Sequence, residues 1–186
     1  MYKIIPVFFL ALALAGCSSS PQKPESQVAV TTKLEQILKV YRQGDNAAQK
    51  EEYQKKAVTL RDALFAELAT KPGFDGWVCR VRDVRKAKLS ARDELLLYAN
   101  CGFFDLHNAE TLSTASSDVP SAQAIPKGHP LYDAMMGLKN NDVVKVSGMF
   151  QTLPDGTIRE SSPTTSSGII RPTFGVIYSA VAPAGK

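Results

Sequence analysis

The hydrophobic period of this chain changes at Lys71-Pro72-Gly73, and the change limits what can be built on either side of it. Before it, apolar residues recur at steps of three and four: Leu34, Ile37, Leu38 and Tyr41, then Tyr53, Ala57, Leu60, Leu64 and Leu68. That spacing lines one face of a helix, and Lys50, Glu51, Glu52, Lys55, Lys56, Arg61, Asp62 and Glu67 mostly keep off the stripe. After it, apolar residues alternate. Trp77, Cys79 and Val81 share one side of an extended chain while Arg80 and Arg82 share the other, the pattern of a half-buried strand. The expected class is therefore α+β, with an amphipathic helical segment at 31–70 and a β domain at 74–183.

Within the helical segment, Thr31 or Thr32 is expected to cap the start. Gly44-Asp45-Asn46 reads either as a stop followed by a new N-cap or as a weak point inside one long helix. The stripe is too brief for several heptads, so packing on the protein's own sheet is expected rather than a coiled-coil partner. Its polar face mixes acids and bases, which argues against a helix lying on a membrane.

In the β domain, Leu95 to Leu106 reads as a second long strand with Leu95, Leu97, Ala99, Cys101 and Phe103 on one face. A turn-like stretch at 86–93 makes a hairpin with the first strand, which brings Cys101 opposite Cys79 and meets the geometric condition for a disulfide. Two unpaired buried thiols are the alternative. Residues 108–128 lack periodicity and read as a long excursion. Pro130 to Leu138 reads as a short helix, Lys139 to Asp142 as a turn, and Val143 to Gln151 as a strand with Val144, Val146 and Phe150 on one side. Pro154-Asp155-Gly156 is a turn signal that predicts a hairpin partner at Thr157 to Glu160. Residues 161–168 read as a Ser/Thr-rich loop, and Thr173 to Ala182 as the last strand.

Ahead of all this stands Met1-Tyr2-Lys3, then an apolar run from Ile4 to Ala15. One short positive region, an apolar stretch too short for a permanent span and small residues at its end make a secretory signal over residues 1–16. Leu14-Ala15-Gly16-Cys17 resembles the lipobox of bacterial lipoproteins. That resemblance implies cleavage before Cys17, acyl chains on that residue and stable anchoring in a membrane. Ser18, where an Asp would retain the protein, implies an outer-membrane anchor facing the periplasm in a cell that has one. Residues 17–30 then read as a lipidated tether, polar and punctuated by proline. With Lys3 removed, the formal charge falls from +4 to +3, too small an excess to argue for nucleic acid. Cys79 and Cys101 remain as an even pair, which fits an oxidising compartment.

Taken in order, two strands, an excursion, a short helix, a strand, a hairpin and a last strand resemble an OB-fold, a five-stranded antiparallel Greek-key barrel. Leu138-Lys139-Asn140-Asn141-Asp142-Val143-Val144 is similar to the Leu-x-x-Gly-Asp-x-Val turn that enters an OB strand, with Asn141 where glycine is usual. Phe74-Asp75-Gly76-Trp77-Val78 is similar to the start of the first strand in the bacterial tRNA-anticodon-binding-like family. The resemblance spans about 74–182. It implies a binding scaffold whose sheet face takes oligonucleotides or oligosaccharides, and Arg80, Arg82, Tyr98 and Phe104 would lie on that face. The competing reading, which the small charge excess favours, has the helices covering part of this face with the arginine stems packed and their heads at the rim.

Catalytic patterns are absent from the sequence. It has no Gly-x-Ser-x-Gly elbow, no His-Glu-x-x-His, no phosphate loop and no dinucleotide fingerprint. Its histidines are His107, at a strand end, and His129, before Pro130; both read as ordinary polar residues, and no Cys or His pair has metal-ligand spacing. Asp93 and Glu94 are adjacent, so on an extended chain they point apart. No metal, cofactor or catalytic set is expected. The leading expectation is a membrane-anchored, non-catalytic lipoprotein that contacts another envelope protein, with exclusion or immunity as a specific version. The alternatives are a ligand module for cell-wall glycan or another anionic oligomer, and an envelope hydrolase.

Overall fold

The computed structural model describes residues 21–87, 93–108 and 124–185. The expected signal at 1–16, the expected acylation site Cys17, the first part of the expected tether, the centre of the expected 86–93 turn and most of the expected 108–128 excursion lie outside the described residues. The elements are α1 (Glu25–Tyr41), α2 (Ala47–Thr70), β1 (Gly73–Lys86), β2 (Glu94–Asn100), β3 (Asp105–His107), β4 (Ile125–Pro126), α3 (Pro130–Met136), β5 (Val143–Phe150), α4 (Thr165–Ile170) and β6 (Thr173–Pro183). The class is α+β, with an OB-like barrel behind helices. Among the described residues, no helix is long and apolar enough to cross a membrane.

Five strands close a barrel in the order β1-β5-β6-β3-β2 and back to β1, and β4 adds to the edge of β2. The barrel is mixed rather than wholly antiparallel, because β3 and β6 run parallel, Leu106 opposite Phe174. A parallel pair needs a long crossover, and the chain from His107 to Thr173, with α3 and β5 in it, supplies one.

The expected long strand from Leu95 to Leu106 is two strands. Gly102 takes φ 105°, the Cys101 amide donates to the Phe104 carbonyl at 2.9 Å, and the chain turns back so that Tyr98, Ala99 and Asn100 face His107, Leu106 and Asp105. Alternation survives on both sides of the reversal, so the pattern hides it. Its consequence is that Phe104 points into the core and is fully buried. Phe104 therefore does not lie on the outer face.

The helices also differ from expectation at their start. α1 begins at Glu25 with Pro24 before it, not at Thr31 or Thr32, so residues 25–30 of the expected tether are helical. The missing turn is held by Gln27, a buried polar residue that an apolar stripe cannot reveal. Its side-chain amide donates to the Val78 carbonyl at 2.7 Å and its oxygen accepts from the Val78 amide at 2.8 Å. Those backbone groups lie just past the end of the β1–β2 ladder at Arg80–Asn100, where an unpaired pair would cost stability. The 44–46 break separates two helices, and Asn46 caps α2 by accepting from the Gln49 amide. Leu60 of the predicted stripe is 40% exposed, while Ala57, Leu64 and Leu68 are buried.

One hydrophobic core joins helices and barrel. Val30, Leu34, Ile37, Ala57, Leu64 and Leu68 pack into the same cluster as Trp77, Phe104, Phe150 and Phe174. Trp77 meets Phe74, Phe104 and Phe150, and Phe65 of α2 meets Phe174 edge-on at 5.2 Å between ring centres. Cys79 and Cys101 form a disulfide that ties β1 to the end of β2. α3 packs instead on β2, β4 and β6. Residues 157–160 make isolated bridges rather than a hairpin strand, Thr152 with Ile158 and Glu160 with Phe174. The expected loop at 161–168 holds the start of α4, for which Thr164 and Ser167 form a capping box.

Candidate binding face on the barrel

The outer side of β1, β2 and β3 is set by register. Arg80 pairs with Asn100 and Asn100 with Asp105, which pairs with Thr173 of β6; one step along, Asp83 pairs with Tyr98, Tyr98 with His107 and His107 with Gly175. Two rows of polar side chains therefore cross the sheet. Between Val81–Ala99 and Asp83–Tyr98 the register slips by one, with Arg82 as the extra residue. A bulge re-aims everything after it. Strict alternation would turn Asp83 and Arg85 inward. With the bulge, Val84 takes the inner parity and Arg80, Arg82, Asp83 and Arg85 share the outside.

Asp105 organises this face. Its carboxylate accepts from Arg82 Nη1 and Arg171 Nε on one oxygen, both at 2.9 Å, and from Asn100 Nδ2 at 2.9 Å and Arg171 Nη2 at 3.1 Å on the other. The Arg171 contact is the two-pronged geometry that guanidinium and carboxylate favour. The side chain of Asp105 is 9% exposed, while those of Arg82 and Arg171 are 58% and 43% exposed. One buried acid thus holds two arginines that reach it from β1 and from the segment before β6.

Beside it, Tyr98 on the middle strand is engaged from both neighbours. Arg85 of β1 lies 4.8 Å from its ring centre and donates to its hydroxyl at 2.8 Å. His107 of β3 stacks on it with ring centres 5.3 Å apart and planes 10° from parallel. His107 Nε2 lies 3.1 Å from Ser161 Oγ, and among the described residues Nδ1 has no partner. Burial, with Arg159 and Arg85 adding to it, pushes the His107 imidazole down to about 4. The ring is neutral at neutral pH. Among the described residues, no acid orients the far nitrogen, the partner that a serine–histidine dyad uses in nucleophilic catalysis. Arg159 comes close because Gly175 has no side chain; a Cβ there would sit 3.0 Å from Arg159 Cδ.

Arg82, Asp83, Arg85, Tyr98, Asp105 and Thr173 line a cleft of about 350 Å³. None of its lining comes from α1 or α2, so the expectation that the helices cover this face does not hold for the cleft. Arg80, one row away, donates to the Asn141 carbonyl at 3.1 Å. Asn141 has φ 75°, the non-glycine residue with positive φ among those described, and asparagine tolerates that region where glycine would be at ease. The Asn141 amide donates to the Val81 carbonyl and the Val81 amide to the Asp142 carbonyl, both at 2.8 Å, which seats the turn against β1. His129 caps α3, accepting from the Leu131 amide at 3.2 Å. Among the described residues, no cluster of His, Cys, Asp and Glu has a metal-holding arrangement.

Of the four residues expected on the binding face, Arg82 and Tyr98 line the cleft, Arg80 flanks it and Phe104 is in the core. Sequence reading missed Arg85, Asp105 and Arg171. Arg85 carried a signal, a third arginine on β1, but only a bulge puts it on the same side. Arg171 lies 66 residues from Asp105, beyond any local pattern. Compared with protein-family models, with curated proteins and with solved structures, the chain matches none.

Proposed function

We propose that this chain is a lipid-tethered, non-catalytic binding module of the cell envelope, and that its binding surface is the outer face of β1, β2 and β3. The observation that carries the reading is the open cleft there, with Arg82 pre-positioned by a buried acid, Arg171 held beside it by the same acid, and none of its lining drawn from α1 or α2. Preorganised donors on a rigid sheet suit recognition because little side-chain entropy remains to be lost on binding. The anchor rests on the Leu14-Ala15-Gly16-Cys17 motif: the chain leaves its signal behind, carries acyl chains on Cys17 and faces the periplasm from the outer membrane. The partner in the leading reading is another envelope protein, and the most specific version of that reading makes this chain an exclusion or immunity lipoprotein. The second reading, a module for cell-wall glycan or another anionic oligomer, is favoured by the four arginines in and beside the cleft, Arg80, Arg82, Arg85 and Arg171, against the acids Asp83 and Asp105.

The test is photocrosslinking in intact cells from a reactive residue placed at Arg80, with the same residue at Glu52 on the exposed side of α2 as reference. The proposal expects a discrete adduct from position 80 and none from position 52. Adducts from 52 alone, or from neither, would sink it.

A further inference from the structure

We infer that Arg82 and Arg85 form an anion subsite for a compact oxyanion, the phosphate or carboxylate group of an extended ligand; this rests on the outer face being the binding surface. The first support is charge. Arg82, Arg85, Arg159 and Arg171 gather around this face against the acids Asp83 and Asp105, and His107 is neutral beside them. The acid at the centre is shared: the one Asp105 carboxylate is bonded by both Arg82 and Arg171, with Asn100 beside them, so its single charge offsets only one of the two guanidiniums.

The second support is donor accounting. A guanidinium carries five N–H donors. Among the described residues, Arg82 spends one on Asp105 and Arg85 spends one on the Tyr98 hydroxyl, and both side chains line the cleft. Each fork keeps donors for an oxyanion. Arginine pairs with carboxylate and phosphate through two parallel bonds, and the tie to Asp105 fixes the plane of one fork in advance.

The third support concerns ligand class. Single-stranded nucleic acid is held in large part by bases stacked on aromatic faces. Tyr98 is the aromatic side chain of the cleft, and Arg85 and His107 from its two neighbouring strands already engage its ring. It acts as a post that holds Arg85 rather than as a platform. Recognition here reads charge at a point, not rings along a strand.

The experiment is calorimetric titration of the full chain in detergent, at low ionic strength, with inorganic pyrophosphate and separately with poly-L-glutamate, to distinguish a phosphate from a carboxylate source. Saturable binding of at least one probe is expected. The double variant R82Q/R85Q should weaken it at least tenfold, while K50Q/K56Q on α2 leaves it unchanged and both variants unfold as cooperatively as the parent. No saturable binding of either probe, or equal weakening in K50Q/K56Q, would overturn the subsite. Because the crosslink at position 80 is read independently, a chain that crosslinks but binds neither anion would remove this inference alone. A chain that binds anion but never crosslinks would remove the envelope partner and leave the subsite.

Discussion

Inside the barrel, β1 presents Trp77, Cys79 and Val81 to aromatic rings and a covalent bond; outside, the same strand presents Arg80, Arg82 and Arg85 to polar partners, a buried carboxylate among them, and to water. The inner face is redundant, since Trp77 touches three other rings and each of those touches more. The outer face is not. Its order passes through two side chains, Asp105 and Tyr98, and the arginines that Asp105 holds are about half in water. Stability therefore belongs to one side of the strand and adaptability to the other, which is the division a binding scaffold needs.

Damage to the inner face should cost most. Trp77→Ala removes a side chain that is 2% exposed and should lower stability by about 4 kcal/mol, read by chemical denaturation. Next is the disulfide, which closes a loop across a separation of 22 residues. The chain-entropy relation gives about 3 kcal/mol for such a loop, so the C79A/C101A double variant should lose that much and should unfold at the same midpoint with or without reductant.

Much of this inner face was legible in sequence because its rule is local. Trp77, Cys79 and Val81 alternate, and so do Leu95, Leu97, Ala99 and Cys101, so the buried side and the placing of Cys101 opposite Cys79 followed from period two, while the bond itself was one of two readings. The reversal at Gly102 was not legible, since Phe103 and Phe104 are both apolar and hide the change of inward parity between Cys101 and Phe104. On the outer face, the arginines were visible but their grouping was not. It depends on a one-residue bulge at Arg82 and on Arg171, which returns from another part of the chain. Gln27 was missed for a related reason: a buried polar residue looks like a surface one until its backbone partners at Val78 are known.

The outer face should respond to pH. His107 titrates at about 4 when folded, against 6.5 for the free side chain. Between those values the unfolded chain binds the proton and the folded chain does not. Stability is therefore full above pH 6.5 and falls as pH drops toward 4, by on the order of 3 kcal/mol across the window. His107→Gln should flatten the fall between pH 6.5 and 5 in denaturant midpoints; an unchanged slope would contradict the assignment. Smaller still is Asp105→Ala. Breaking a buried pair costs several kcal/mol, but the arginines it would strand are 58% and 43% exposed and can turn to water, so about 2 kcal/mol is expected by thermal unfolding.

The most direct test of the division between the two faces is retention of the detergent-solubilised full chain on an immobilised envelope fraction, comparing two charge-matched variants. R82E/R85E reverses two charges in the cleft, and K50E/K56E reverses two on the exposed side of α2. The account predicts that the first loses retention and the second keeps it. Equal retention in both variants, or equal loss in both, would mean that the β1–β2–β3 face is not where this protein binds.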